Sequence, residues 1–246
     1  MSYKELYERV GKLHGWDFSK IKYTCADNSE FKYFDEINRV IKNTDLVLDI
    51  GTGGGEKVLK HLHDFGFLIG IDNCLAMICK ANENLTHYPN KRVCFLQMSS
   101  AKLKFPEEFF NIILARHACI NSKEIYRCLK HGGYLFSEDI DESDCLELKR
   151  LFGRGQGFTV KEKLVERIKK DLANYKFSFQ VYDIVQDEYY KTEDDLLFLL
   201  SNTPIIPNFG NSATDFEKLE KYITANKTEK GIHLKRRLFG IIARKI

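Results

Sequence analysis

Val47-Leu48-Asp49-Ile50-Gly51-Thr52-Gly53-Gly54-Gly55-Glu56 is the stretch that decides the fold. A short apolar run ends at glycines, as a buried strand does. The residues that follow, from Gly55 to Phe65, have helical spacing. A strand entering a glycine turn and then a helix lets a ligand approach the backbone closely, beside free N–H groups at the helix start. Two ligand classes use such a turn. A dinucleotide site asks for G-x-G-x-x-G after the strand. Counted from Gly51, the last position is Glu56, so that spacing fails. The spacing D-x-G-x-G-x-G is met at all four positions, Asp49, Gly51, Gly53 and Gly55.

Outward from this turn the pattern repeats. Phe67–Ile71, Arg92–Gln97, Phe110–Ala115 and Gly133–Ser137 read as further buried strands, with helical segments at Leu75–Leu85 and Ser122–Leu129 between them. Strand alternating with helix predicts a parallel sheet covered on both faces. The first 43 residues read as helices, Tyr3–Leu13 and Tyr33–Ile41. Beyond Ile140 the alternation breaks down. Asp141–Phe152 and Val160–Leu172 read as helices, Phe177–Tyr190 as a long strand, and Thr192–Leu200 as a helix opening on the capping box Thr192-x-x-Asp195. Asp215–Ala225 reads as a helix and Leu234–Ile242 as a closing strand. The expectation is a doubly wound, mostly parallel Rossmann-like α/β sheet. A helical segment (1–44) precedes a ligand-binding core (45–139). The remainder (140–246) carries the last strands and an inserted cap.

With these residues in place, the chain resembles the class I S-adenosylmethionine-dependent methyltransferases, whose sheet has seven strands. The resemblance covers residues 45–139. In that family the acidic residue ending the first core strand holds the glycine loop and the methionine end of the cofactor, a role that falls to Asp49. Asp72 ends the next strand, 23 residues after Asp49, where the family binds the ribose hydroxyls. Asp72-Asn73-Cys74-Leu75-Ala76-Met77 is similar to the family's second motif, which implies that Met77 packs near the adenine. Ser99 stands where an acidic residue often receives the adenine amino group. Leu129-Lys130-His131-Gly132-Gly133 resembles the segment leading into the fifth core strand, with His131 in place of a proline. The resemblance implies S-adenosylmethionine as cofactor, held by Asp49, Gly51, Thr52, Gly53, Gly55, Asp72, Asn73, Met77, Ser99, Ser100 and Arg116, and implies no metal.

The methyl acceptor is not written in these motifs. The Asp/Asn-Pro-Pro-aromatic tetrad of base amino-methyltransferases is absent after the fourth core strand, where Arg116-His117-Ala118-Cys119 stands instead. His117 is the candidate catalytic base, because histidine exchanges protons near neutrality. Arg116 offers a fork for a carboxylate or phosphate on either ligand. Gly153-Arg154-Gly155-Gln156-Gly157 reads as a hinge, an anion nest or a plain mobile loop. Tyr182, Tyr189, Tyr190, Phe198 and Phe209 read as core or as pocket walls. Lys235-Arg236-Arg237 reads as a phosphate site or as the outward positions of a half-solvated strand.

Composition narrows the class. The chain has 246 residues, 43% hydrophobic and 30% charged, with a net charge of +3. That is too mild a charge to require a polyanionic partner. A small-molecule acceptor is therefore expected. RNA methylation, or cofactor binding without catalysis, are the alternatives. The charged N-terminus MSYKELYERVGK carries no apolar leader, and no run of apolar residues is long enough for a membrane helix. Seven cysteines without a C-x-x-C pair read as reduced core thiols of a cytoplasmic protein.

Overall fold

A computed structural model of the chain describes residues 3–13, 15, 18–89 and 92–246. The elements run in the order α1 (Tyr3–Leu13), β1 (Tyr23–Asp27), α2 (Tyr33–Val40), β2 (Leu46–Ile50), α3 (Glu56–His61), β3 (Phe67–Asp72), α4 (Leu75–Thr86), β4 (Val93–Gln97) and β5 (Phe110–Arg116). Then follow α5 (Ser122–Cys128), β6 (Leu129–Ile140), α6 (Leu146–Phe152), α7 (Leu164–Asn174), β7 (Phe177–Tyr190), α8 (Glu193–Asn202), α9 (Ala213–Asn226), β8 (Lys227–Thr228) and β9 (Gly231–Lys245).

One mixed sheet has the order β4-β3-β2-β5-β6-β9-β7-β1, with the short β8 paired to β9. Strands β2 to β6 are parallel, while β9 runs antiparallel to both β6 and β7. The parallel strands are nearly continuous apolar runs because helices cover both faces. Val47, Leu68, Ile112, Leu114 and Phe136 pack on one face with Tyr33 and Ile37 of α2, Val58 and Leu59 of α3, and Ile78 of α4. Leu48, Ile50, Ile71, Ile113 and Leu135 pack on the other with Ile125 of α5 and Ile168 and Leu172 of α7. This is the doubly wound arrangement expected. Strand order reverses at β2, between β3 and β5, the switch point where such sheets open a crevice at their carboxyl ends.

The N-terminal segment is not helical throughout. Tyr23–Asp27 forms a sheet edge, paired antiparallel with β7 from Tyr23↔Tyr190 to Asp27↔Gln186. Two helices also start later than expected, α6 at Leu146 and α7 at Leu164; before α6, Asp141 and Ser143 turn the chain first. The Asp141 carboxylate accepts the Ser143 N–H at 2.8 Å, a local bond that competes with helix formation. The Thr192/Asp195 capping box forms as the sequence predicts. The seven cysteines are free, and of them Cys74, Cys128 and Cys145 are buried while Cys25, Cys79 and Cys119 are exposed. The thiols are thus only partly a core feature.

Two features position the site. First, β7 pairs with β9 along its whole length, from Phe177↔Lys245 to Tyr190↔Ile232, whereas β6 pairs with β9 only from Tyr134↔Arg244 to Ile140↔Leu238. The outer halves of β7 and β9 therefore project past the end of β6. Second, α8 and α9, inserted between β7 and β9, pack with α6 on that projection around a separate apolar cluster. Leu148, Phe152, Tyr190, Leu196, Leu200, Leu219, Tyr222 and Leu234 belong to it. No helix among the described residues is long and apolar enough to cross a membrane.

Candidate cofactor and acceptor site

The turn after β2 is built on glycines because its backbone is left-handed at Gly51 (φ 72°), Gly53 (φ 56°) and Gly55 (φ 74°), where a side chain is strained. Gly51 has a second reason. A Cβ there would lie 2.5 Å from the Ala118 Cβ, so the missing side chain lets the β5 exit loop close on the turn. Gly55 is likewise pressed on the Phe95 ring, 2.6 Å from where its Cβ would be.

Four amides of this turn are already committed. The N–H groups of Gly51 and Thr52 both donate to the Ile71 carbonyl, at 2.8 and 3.0 Å, and the Gly55 N–H donates to the Thr52 carbonyl at 3.0 Å. The Gly53 N–H donates to Asp72 Oδ2 at 3.1 Å. A pyrophosphate cradle needs such amides free. What the turn presents is carboxylate. Asp49 is 6% exposed. Burial pushes its pKa up to about 7, Asp72 adds to the rise, and the Thr52 hydroxyl and the Arg116 guanidinium oppose it. The Thr52 hydroxyl oxygen lies buried without a well-formed hydrogen bond. Asp72 ends β3 with its Oδ1 accepting the Cys74 N–H at 2.8 Å. Burial raises its pKa as well, against the N–H groups of Cys74, Gly53 and Asn73.

The structure brings Asp49, the glycine turn, Asp72 and Arg116 to one end of the sheet. Ser99 and Ser100 follow β4 on the same side, and the Ser99 hydroxyl accepts the Ala101 N–H at 3.2 Å. Asn73 is exposed, and its carbonyl accepts from the Gln97 side chain. Met77 goes elsewhere. It is 1% exposed and packs with Leu6, Val10 and Cys74 against α1.

Arg116 and His117 end β5. Arg116 Nε donates to Glu138 Oε1 at 2.8 Å across the β5–β6 pair, so one edge of the expected fork is already engaged. His117 adopts a left-handed backbone (φ 52°), unusual for a residue with a side chain. Its N–H holds the Glu138 carbonyl at 2.8 Å. Its ring stands between two carboxylates, Nε2 3.8 Å from Glu138 Oε1 and Nδ1 3.9 Å from Asp139 Oδ1.

Residues not singled out from the sequence complete the wall. By strand register, Asp72, Asp49, Arg116 and Glu138 share one face of the sheet with Glu188 of β7, Arg236 of β9 and Tyr23 of β1. Arg236 is spent on acids. Its Nε reaches Asp144 Oδ1 at 2.9 Å, its Nη2 Asp144 Oδ2 at 3.4 Å, and its Nη1 Glu188 Oε2 at 3.5 Å. Glu188 also accepts the Tyr190 hydroxyl at 2.6 Å, and Tyr190 stacks on Tyr23 with ring centres 5.4 Å apart. Burial and Glu188 push the Tyr23 phenol up, while Arg236 and Arg116 pull against them, so the charges of β5, β7 and β9 converge on this ring.

The Gly153–Gly157 loop is tied down. Arg154 Nη2 donates to both carboxylate oxygens of Asp215, 2.8 Å to each, and its Nε donates to the Pro207 carbonyl. A Cβ on Gly155 would lie 2.3 Å from Lys149 Cγ. Among the described residues there is no group of three or more metal-ligating side chains.

Comparison with known proteins agrees with this geometry. Residues 47–133 match the sequence profile of a family described as a methyltransferase domain. Over 127 residues the chain is 25% identical to an uncharacterized methyltransferase, YcgJ, of Bacillus subtilis (strain 168), covering 50% of each protein. The chain thus spans about half the length of the curated relative it matches. The crystal structure of YcgJ superposes with a TM-score of 0.61 at 18% identity, over 87% of this chain and 97% of that one. BH2331 of Bacillus halodurans C-125, a candidate methyltransferase, superposes with a TM-score of 0.63 at 17% identity, over 93% and 98%. At these identities the superpositions establish the fold.

Proposed function

We propose that this chain, whose residues 47–133 match a methyltransferase-domain family, is a class I S-adenosylmethionine-dependent methyltransferase that transfers a methyl group from S-adenosylmethionine to a small-molecule acceptor. One observation supports the reading: the N–H groups of Gly51, Thr52, Gly53 and Gly55 are already engaged, and a buried carboxylate, Asp49, and a half-buried one, Asp72, stand at the rim of the turn. Such a rim favours a ligand bearing positive charge and disfavours a pyrophosphate.

The residues fit the cofactor. Asp49, the Thr52 hydroxyl and the turn would take its methionine end, Asp72 its ribose, and Ser99 and Ser100 its adenine. When bound, S-adenosylmethionine supplies a methyl group already activated on a sulfonium. The chain's task is then to position the acceptor and exclude water. Arg116 and His117, held against the turn through the Gly51–Ala118 contact, stand where the acceptor must approach. His117 is the group able to receive a proton from it. The cap of α6, α8 and α9 would close the acceptor side, which suits a small molecule. Calorimetry tests the reading. S-adenosylmethionine and S-adenosylhomocysteine should bind, and NAD should not bind comparably. Binding of NAD alone would refute it.

A further inference from the structure

His117 stands at the crest of the sheet. Glu138 and Asp139 are neighbours on β6, so their side chains leave opposite faces, Glu138 on the face that bears Asp49 and Asp139 on the other. The His117 ring is near both, Nε2 3.8 Å from Glu138 Oε1 and Nδ1 3.9 Å from Asp139 Oδ1. A ring that reaches side chains of both faces must stand over the strand end, between them. Its left-handed backbone (φ 52°) and the bond from its N–H to the Glu138 carbonyl go with this placement. The next residue, Ala118, is pressed on Gly51 of the glycine turn. Backbone strain of this kind persists where the surrounding structure enforces it, and it collects at functional sites. The fold uses the two carboxylates unequally. Glu138 Oε1 is shared with Arg116, which offsets its charge. Asp139 has no such partner. Its side chain is 18% exposed, and its Oδ1 accepts the Ile140 N–H at 2.8 Å. Among the described residues no lysine or arginine pairs with it. A carboxylate that far out of water is costly without a positive partner. Both distances to His117 are too long for a hydrogen bond, yet within reach of an ion pair once the ring is charged. The carboxylates thus face the place where positive charge develops when the ring gains a proton.

We infer that Asp139, helped by Glu138, is a positioning residue: it holds the His117 ring over the strand end and stabilises the imidazolium formed when His117 takes the acceptor's proton. This rests on the methyltransferase reading above. In the reaction the O–H or N–H proton of the acceptor passes to a ring nitrogen of His117. The electron pair left on the acceptor atom forms the bond to the methyl carbon while the S–C bond breaks, its pair remaining on sulfur. The ring then gives its proton to water.

The test uses the full chain, S-adenosylmethionine tritiated in its methyl group, and increasing amounts of the extract fraction of the source organism that takes up label with the wild-type protein. The plateau rate and the half-saturating amount of that fraction are read separately. Asp139→Asn keeps the shape of the side chain and an oxygen for the Ile140 N–H. It should lower the plateau rate at least tenfold, with the half-saturating amount and the calorimetric S-adenosylmethionine affinity within threefold of wild type. Asp139→Glu should recover part of the loss. In a His117→Ala background Asp139→Asn should cost nothing further, because the pair acts as a unit. A full plateau rate in Asp139→Asn, or a loss that repeats undiminished in the His117→Ala background, overturns the inference and leaves methyl transfer standing. A full rate in His117→Ala does the same. Absence of any transfer by the wild-type protein, with S-adenosylmethionine bound, counts against both readings.

Discussion

On the proposed function, Asp49 would make S-adenosylmethionine binding a function of pH in a way that can be worked out in advance. Its carboxyl, with an ordinary pKa of 3.8, is pushed up to about 7 by burial and by Asp72. At 1.36 kcal/mol per unit, holding the ionised form in the free protein costs about 4 kcal/mol. The sign follows from the raised value: the protonated form is the favoured one in the fold. The contribution to stability is complete below pH 4 and is lost as pH rises through about 7. A ligand that brings positive charge to the rim reverses this, because it needs the carboxylate. If only the ionised form binds well, the apparent Kd should fall roughly tenfold between pH 6 and pH 8, following the fraction of ionised Asp49. Isothermal titration of S-adenosylmethionine at fixed ionic strength across that range measures it. The ligand's own amino group titrates nearby, at about 7.7–8.0 for an α-amine, so the readout is the difference between wild type and Asp49→Asn. That variant should bind weakly at every pH and lack the steep part of the curve. A wild-type affinity that does not rise with pH relative to Asp49→Asn would refute the reasoning, and the buried carboxylate would then serve only the turn.

Two further outcomes are expected. Asp72→Ala should weaken S-adenosylmethionine binding at least tenfold, since charge-assisted hydrogen bonds are worth about 1.5–3 kcal/mol; it should also lower Tm, because the Gly53 and Cys74 N–H groups lose their acceptor. An unchanged Kd would place the ribose elsewhere. His117→Ala should lower turnover with the identified acceptor while leaving S-adenosylmethionine affinity nearly intact, and full turnover in the variant would reduce His117 to a strained strand-end residue.

The parallel core was legible because burial on both faces leaves its mark locally. LVLDI, FLIGID and FNIILAR are apolar at nearly every position, and a glycine turn needs its glycines at fixed places. Strand β1 left no such mark. Tyr23–Asp27 is exposed at four of five positions, and it is a strand only because β7 offers an edge. The pairing of Arg236 was hidden for a related reason. In Lys235-Arg236-Arg237 the three residues look alike, yet strand alternation turns Lys235 and Arg237 outward and Arg236 inward. The reading of outward basic positions thus held for two of the three. The acids that meet Arg236, at Asp144 and Glu188, lie 92 and 48 residues away, a pairing that no local pattern announces. The packing of Met77 on Leu6 and Val10 of α1 was equally hidden, since it joins helices more than sixty residues apart.

The long β7–β9 ladder has a consequence for how this architecture can change. Tyr190 and Ile232 are paired residues, so the chain leaves and re-enters the sheet at one place, and everything between them hangs from a closed clasp. Lengthening such a connection weakens closure only logarithmically, by about 0.6 kcal/mol per doubling. The strands on either side are already fixed in register by their own ladder and by β6. Helices α8 and α9 can therefore be remodelled, lengthened or exchanged with little effect on the glycine turn, while Glu188 and Arg236 stay in place on the rigid side of the clasp. The roof over the crevice is free to diversify on a floor that holds its charges still.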